Sequence, residues 1–152
     1  MKVYLGADHG GFELKEKIKE QLVSEGYEVL DLGNDHFDFQ DDYPDFAFKV
    51  AEAVSKDLES RGILFCRSAA GMIIAANKVK NVRATAVWDL KSAIHSRDNN
   101  DANIIGLSGD WLSDDEAREI VKIWLTTKFN QEKRHVRRIE KISNYERLAS
   151  RS

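Results

Sequence analysis

A single cysteine, Cys66, lies where an apolar run gives way to small residues and then to a second apolar stretch, within residues 62–79. This pattern predicts a buried parallel strand, a tight turn and a helix. The thiol then sits at the carboxyl end of a strand, where open α/β sheets bind ligands. N–H groups at a helix start stabilise a thiolate, so Cys66 is a candidate base or nucleophile. A buried structural thiol is the alternative.

A carboxylate and an imidazole, Asp8 and His9, follow the first apolar run in Gly-Ala-Asp-His-Gly-Gly at 6–11. The segment has neither the lysine of a P-loop nor the glycine spacing of a dinucleotide site, so neither is indicated. An imidazole suits proton transfer and phosphate contact, which makes this strand end a candidate ligand site. The alternative is that Asp8 only caps the next helix.

One position argues against cysteine-based hydrolysis of phosphate esters. Low-molecular-weight phosphatases need an arginine six residues after the cysteine, and this chain has Met72 there. Without that clamp on a phosphate, the Cys66 thiol is better suited to act as a base than as a phosphoryl acceptor.

Two further polar segments could bind a substrate. Residues 96–103 are rich in amides, which both donate to and accept from sugar hydroxyls, although such turn formers also make ordinary loops. Arg134 and Arg138 are four residues apart and share one helix face, which makes them a good receptor for a phosphate dianion. A solvated basic face is the alternative.

Five short apolar runs predict the strands that position these groups, at 2–6, 27–32, 62–66, 83–88 and 103–107. Helical patterns lie between them at 12–25, 44–60, 71–79 and 90–98. Strands that alternate with helices predict βαβ units. The fold class is therefore α/β, with a five-stranded parallel sheet covered on both faces.

Helix starts are marked at two places. Pro44 suits the first position of a helix, and Ser113-Asp114-Asp115-Glu116 is a capping box. A last helix is predicted over about 132–148, with strongly basic first turns. No linker or repeat interrupts the chain, so we expect a single domain over 1–152 whose C-terminal helix reaches a second subunit.

The overall composition argues against several classes of protein. The chain has 152 residues, and its net charge of −3 disfavours a general affinity for nucleic acid. One cysteine rules out an internal disulfide framework and suits a reducing compartment. No signal peptide opens the sequence and no apolar run approaches about 18 residues, so we expect a cytoplasmic protein without a membrane span.

Taken together, these segments resemble the ribose-5-phosphate isomerase B family, which includes the bacterial galactose- and allose-phosphate isomerases. The resemblance covers essentially the whole chain. Its motifs are Gly-Ala-Asp-His-Gly-Gly-Phe-Glu-Leu-Lys at 6–15, Asp-Tyr-Pro-Asp at 42–45, the cysteine turn with Ile-Ala-Ala-Asn-Lys-Val at 74–79, Asn-Asp-Ala-Asn at 100–103 and Arg-His-Val-Arg-Arg-Ile-Glu-Lys-Ile at 134–142.

The resemblance implies a Rossmann-like three-layer α/β/α sandwich, a homodimer or homotetramer, no metal or cofactor, and aldose–ketose isomerisation of a sugar phosphate at a site between two subunits. It implies that Cys66 moves a proton between C1 and C2 through an enediolate. The other implied contacts are Asp8 and His9 with sugar hydroxyls and phosphate, Arg134 and Arg138 with phosphate, Asn100 with a sugar oxygen, and Tyr43 with the pocket interior.

An enediolate needs hydrogen-bond donors already in place. Ser68 and the N–H groups of residues 69–72 at the helix start would supply them, and one such donor is typically worth about 3 kcal/mol of barrier. The catalytic candidates are Cys66, Ser68 and Asp8. The substrate-binding candidates are His9, Tyr43, Arg67, Gly71, Asn100, Arg134 and Arg138.

Four positions depart from the family pattern. Arg67 and Ala69 occupy glycine positions of the family's Cys-Gly-Thr-Gly-x-Gly-Met turn. Asn99 replaces the family's ring-opening histidine, and an amide cannot shuttle a proton at neutral pH; His95, one helical turn earlier, is a possible substitute. Asp110 replaces a phosphate-binding arginine. Either the substrate differs, or Arg67 supplies the lost charge from another wall of the pocket.

The sequence therefore predicts a sugar-phosphate isomerase, with ribose 5-phosphate and ribulose 5-phosphate as the default pair. Three alternatives remain: an isomerase for a different aldose phosphate, a catalytically weak sugar-phosphate-binding relative, and a flavodoxin-like binding or signalling domain without isomerase chemistry.

Overall fold

The computed structural model describes residues 1–150. Its elements follow in the order β1 (Lys2–Ala7), α1 (Phe12–Ser24), β2 (Glu28–Asp31), α2 (Tyr43–Lys56), β3 (Arg61–Cys66), α3 (Ala70–Ala76), β4 (Ala84–Ala86), α4 (Leu90–Asp98), β5 (Ile104–Ser108), α5 (Asp114–Thr126) and α6 (Lys133–Ala149). The five strands form one parallel sheet, as predicted, and their order in it is β2-β1-β3-β5-β4.

Helices cover both faces of this sheet and give three layers. On one face, apolar side chains of α1, α4 and α5 pack around Trp124, the largest fully buried side chain of the described residues. On the other face, α2 and α3 pack against the sheet through residues such as Val50 and Met72. The central strands β3 and β5 are apolar on both sides because helices bury both of their faces.

The sheet has a topological switch point between β1 and β3. The chain leaves β1 to form β2 on one side, and it leaves β3 to form β4 on the other. Ala7 pairs with Phe65, so the loops that carry Asp8 and Cys66 leave the sheet side by side. Ligands bind in the crevice that such a reversal opens at the carboxyl ends of the strands.

Several predicted boundaries are corrected by one to four residues at their ends. α2 begins at Tyr43 with Asp42 as its N-cap, so Pro44 is the second helical residue instead of the first. α2 ends at Lys56 because the N–H of Asp57 closes a tighter turn on the carbonyl of Val54. The capping box of α5 is confirmed: the hydroxyl of Ser113 accepts from the N–H of Glu116, and the carboxylate of Glu116 accepts from the N–H of Ser113, both at 3.1 Å.

The last helix, α6, leaves an apolar flank uncovered within one chain. Its first turn buries His135, but Ile142, Tyr145 and Leu148 are 57%, 76% and 65% exposed. Within residues 1–150, none of the helices is both long enough and apolar enough to cross a membrane.

Candidate active site

Cys66 closes β3 and lies almost fully inside the crevice wall, with 5% of its surface exposed. Its Sγ accepts a hydrogen bond from the N–H of Ala69 at 3.0 Å. Burial raises the pKa of the thiol, and the negative charge of Asp8 raises it further, against the opposing effect of N–H groups at the start of α3. The N–H groups stabilise the thiolate as expected, but desolvation outweighs them, so the net pKa of Cys66 lies above its ordinary value.

Ala69, the N-cap of α3, has a left-handed backbone with φ of 68°. This conformation turns its N–H toward the sulfur and directs the chain into the helix. A residue with a Cβ is strained there, which agrees with the expectation that an alanine at this position restricts the turn.

Asp8 is buried directly after β1, with 8% of its surface exposed. Its Oδ1 accepts from the N–H of Gly11 at 3.1 Å, but Gly11 itself is the N-cap of α1 and the helix has no side-chain cap, so the alternative that Asp8 caps this helix is wrong. Burial also raises the pKa of this carboxyl, although the charge of His9 lowers it in part. A buried carboxyl with a raised pKa, next to a thiol, is well suited to proton transfer.

His9 is held by a residue that sequence reasoning missed, Asp41. The Nδ1 of His9 lies 2.7 Å from Asp41 Oδ1, and the same oxygen accepts from the backbone N–H of His9 at 3.1 Å. The rings of Phe37 and Phe39 pack around the imidazole, with centroids 6.2 and 5.5 Å away. Asp41 directly precedes the Asp-Tyr-Pro motif at 42–44. Its partner His9 is 32 residues away in the sequence, so no local sequence pattern indicates the contact.

Within residues 1–150, Asp8, His9 and Asp41 are the group whose geometry could hold a metal ion, since one donor atom of each lies within 4.8 Å of the others. However, the ligand atoms of His9 and Asp41 already bind each other. A cation would have to break that hydrogen bond, so the arrangement fits proton transfer better.

Arg67 and Asp110 face each other across a small cavity beside His9. The cavity has a volume of about 230 Å³ and is also lined by Lys17 and Phe37. Arg67 lies over Gly10, and its Nη1 is 3.8 Å from Asp110 Oδ2. Two of the four departures from the family pattern thus form one ion pair, in which Asp110 partly neutralises the cation that was expected to receive a phosphate.

Tyr43 and Gly71 also meet at the cysteine turn. A Cβ at Gly71 would lie 2.7 Å from the ring of Tyr43, so any larger residue there would displace the ring. Ser68 is half-buried in the same turn, and its Oγ accepts from the N–H of Ala70 at 3.3 Å. Since that hydrogen bond uses only the oxygen, the hydroxyl hydrogen remains available to an oxyanion.

The other predicted binding residues lie elsewhere in the single chain. Asn100 and Arg138 line a different cavity of about 540 Å³, between α6 and the α4 region. Arg134 is exposed and pairs with Glu132 at 3.0 Å. The 540 Å³ cavity does not include His9, and the cavity beside His9 includes neither Asn100 nor Arg138, so these parts of the predicted site line separate cavities of one chain.

Asn99 also lines the 540 Å³ cavity, where its side chain contacts a histidine. Its Nδ2 lies 3.4 Å from Nε2 of the buried His135, whose Nδ1 lies 3.0 Å from Asn130 Oδ1. The amide therefore holds a neighbouring imidazole in place. His95, the expected substitute for the missing histidine, is exposed and lines the same cavity.

Comparison with known proteins identifies the family of this chain. Residues 3–142 match the family model described as Ribose/Galactose Isomerase. Ribose-5-phosphate isomerase B of Mycobacterium tuberculosis is 42% identical over 97% of this chain and 91% of its own.

Two solved structures are similarly close. Ribose-5-phosphate isomerase B of Mycoplasma genitalium with bound ribulose 5-phosphate is 42% identical, with a TM-score of 0.93 over 96% of both chains. The Clostridium thermocellum enzyme of the same name is 44% identical, with a TM-score of 0.92 over 98% of this chain and 99% of its own.

Proposed function

The chain belongs to the ribose/galactose isomerase family, and from this premise we propose that it interconverts ribose 5-phosphate and ribulose 5-phosphate. The observation that supports this most is the convergence of Asp8, His9 and Cys66 at the switch point of the sheet. Relatives named ribose-5-phosphate isomerase B match nearly the whole length of the chain, so this is the natural substrate pair.

The proposed reaction transfers two protons. The Cys66 thiolate takes the proton from C2 of the open-chain aldose and returns it to C1 of the enediolate. Asp8 carries the hydroxyl proton from O2 to O1, which its raised pKa permits. Ser68 and the N–H groups at the start of α3, including that of Gly71, stabilise the oxyanion.

We also propose that the active unit is a homodimer, or a pair of such dimers, acting in the cytoplasm. Arg134, Arg138 and Ile142 succeed each other at intervals of four, so they lie along one flank of α6. The exposed Tyr145 continues this flank. A second copy that covers the apolar part would bring both arginines and Asn100 to the Cys66 half of its partner's site, with each chain acting as one domain.

The experiment is an isomerase assay on five- and six-carbon aldose phosphates with the parent chain and with Cys66→Ala. We expect ribose 5-phosphate to be converted and the variant to lose at least about a hundredfold in rate, as expected when a general base is removed. Conversion that survives in the variant would contradict the role of Cys66, and conversion of a hexose phosphate alone would replace the substrate.

A weakly active sugar-phosphate-binding protein is the second candidate. The raised pKa of Cys66 and the ion pair between Arg67 and Asp110 favour it, because both weaken features that the isomerase needs. Binding of ribose 5-phosphate to the parent chain without turnover would select this candidate.

Arg67→Ala tests in the same experiment whether Arg67 supplies the charge that the family places at position 110. We expect severalfold weaker binding of the sugar phosphate, and unchanged affinity rules the replacement out.

A further inference from the structure

Asp41 and His9 form a buried carboxylate–imidazole pair at the edge of the crevice. The side chain of Asp41 is 4% exposed, whereas that of His9 is 21% exposed toward the adjoining cavity. Asp41 Oδ1 accepts hydrogen bonds from both the Nδ1 and the backbone N–H of His9. These two bonds fix both the position and the orientation of the ring.

The surrounding hydrogen bonds determine which ring nitrogen carries the proton. Asn34 accepts the N–H of Asp35 with its Oδ1 at 3.0 Å, so its Nδ2 is the atom that donates to Asp41 Oδ2 at 3.2 Å. Its carbonyl accepts from the buried ammonium group of Lys15, which anchors the segment. Since Asp41 accepts at both oxygens, the neutral imidazole carries its proton on Nδ1 and presents the lone pair of Nε2.

Among the four histidines, His9 alone combines a buried orienting carboxylate with a free ring nitrogen, and its ring lies beside Asp8, since one donor atom each of Asp8, His9 and Asp41 lies within 4.8 Å of the others. Its Nε2 has no hydrogen-bond partner within residues 1–150. His135 uses both ring nitrogens, and His36 pairs with Asp35 on an exposed loop. His95 lines the other cavity.

Enediolate chemistry needs the open-chain aldehyde, whereas an aldopentose phosphate in water is mostly a closed ring. On the basis of the proposed function, we propose that His9 opens this ring and that Asp41 is its positioning residue. His9 Nε2 takes the proton from the hydroxyl on C1. The C1–O4 bond breaks as the C1 carbonyl forms, and the electron pair goes to O4, which then receives the proton from His9. Both oxygens are bonded to C1 in the ring, so one nitrogen reaches them in succession.

The first test needs no substrate. Long-range proton–nitrogen NMR of ¹⁵N-labelled protein, at a pH where imidazole is neutral, reports which nitrogen of each ring is protonated; the spectrum of His9→Gln assigns the signal. We expect His9 to carry its proton on Nδ1 in the parent chain and to lose that preference in Asp41→Asn. A His9 ring protonated on Nε2 in the parent overturns the proposal, even if no variant folds.

The second test separates ring opening from enediolate formation. Asp41→Asn should lower conversion of ribose 5-phosphate by about a hundredfold or more, the usual contribution of a general base. Ribulose 5-phosphate cannot close the corresponding ring, so exchange of its C1 proton with D₂O should stay within about threefold of the parent rate. Asp35→Asn, which breaks the exposed Asp–His pair, is the matched control and should change neither rate.

Equal loss of conversion and exchange in Asp41→Asn, or no loss of conversion, overturns the assignment of ring opening to this pair. A parent chain that fails to convert ribose 5-phosphate refutes the proposed substrate and with it this step. The NMR result still decides whether Asp41 orients His9, so the two failures are distinguishable.

Discussion

Two opposing effects act on the pKa of the Cys66 thiol. N–H groups at the start of α3 favour its thiolate, while burial and the neighbouring Asp8 disfavour it, and the net effect is a raised pKa. A thiolate with a raised pKa is scarce at neutral pH, but it is a stronger base when it forms. We therefore expect a reaction that depends on Cys66 to accelerate as the pH rises toward the pKa of the thiol.

The effect of Asp8 on Cys66 can be measured directly, because Cys66 is the only cysteine in the chain. In Asp8→Asn the negative charge is removed, so the pKa of the thiol falls and the midpoint of alkylation by iodoacetamide moves to lower pH. The rate of alkylation is measured against pH in the parent and in the variant. Asp114→Asn, which removes a half-exposed carboxylate outside the turn, should leave the midpoint in place. A midpoint that is unchanged or higher in Asp8→Asn would contradict this account.

Sequence patterns identified the groups that stand at strand ends but not the contacts between distant segments. Asp8 and Cys66 follow apolar runs, and the carboxyl ends of parallel strands meet at one edge of a sheet. In contrast, the contact of Asp41 with His9 depends on how the loop before α2 crosses the crevice, and hydrophobic periodicity carries no information about that path. The pairing of Arg67 with Asp110 was missed for the same reason.

At the scale of elements, all five strands and all six helices were anticipated, because their apolar spacing matches the burial that they achieve. The errors lie at their ends. The strand expected over 83–88 is only Ala84–Ala86, because it is an edge strand that pairs with β5 alone. α3 stops at Ala76, where the amide of Asn77 instead pairs with both backbone groups of Ala84.

The turn between β3 and α3 provides a test of backbone strain. Ala69→Gly removes the strain of a left-handed alanine, which costs about 1–2 kcal/mol. The substitution also removes a buried methyl group and makes the unfolded chain more flexible, and the destabilisation from these two losses together is of similar size. We expect the free energy of unfolding to change by less than about 0.5 kcal/mol. Ala70→Gly, one residue further into the helix, has no strain to relieve and should cost about 1 kcal/mol.

Denaturant unfolding of the two variants beside the parent measures this difference. Equal losses in both would mean that the left-handed residue bears no strain, and the departure from the family's glycine would then have no energetic consequence at this turn.

At the scale of the whole molecule, the proposed catalytic and binding residues lie in two separate groups within a single chain. Cys66 and His9 lie at the switch point, while Arg138 and Asn100 line the cavity beside α6. The exposed apolar side chains of α6 offer a reason for association, since covering one large apolar side chain contributes about 1.5–3 kcal/mol. A two-fold dimer uses the same patch on both copies, so it would complete two sites at once.

Subunit complementation tests whether each site is shared. We expect Cys66→Ala and Arg138→Ala each to be nearly inactive as pure proteins. In a hybrid dimer, one site contains both substitutions and the other contains neither. Random co-assembly makes half of the dimers hybrid and half of their sites intact, so an equal mixture should regain about a quarter of parental activity.

Co-expression of the two chains with different affinity tags, followed by purification on both tags, isolates the hybrid and should double that recovery. Cys66→Ala mixed with His9→Gln is the control. Both substitutions then affect the same half-site, so each site of the hybrid lacks either the thiol or the imidazole, and no activity should return. If the Arg138 mixture also recovers nothing although hybrids form, then Arg138 acts within its own chain, and the site is not divided between subunits.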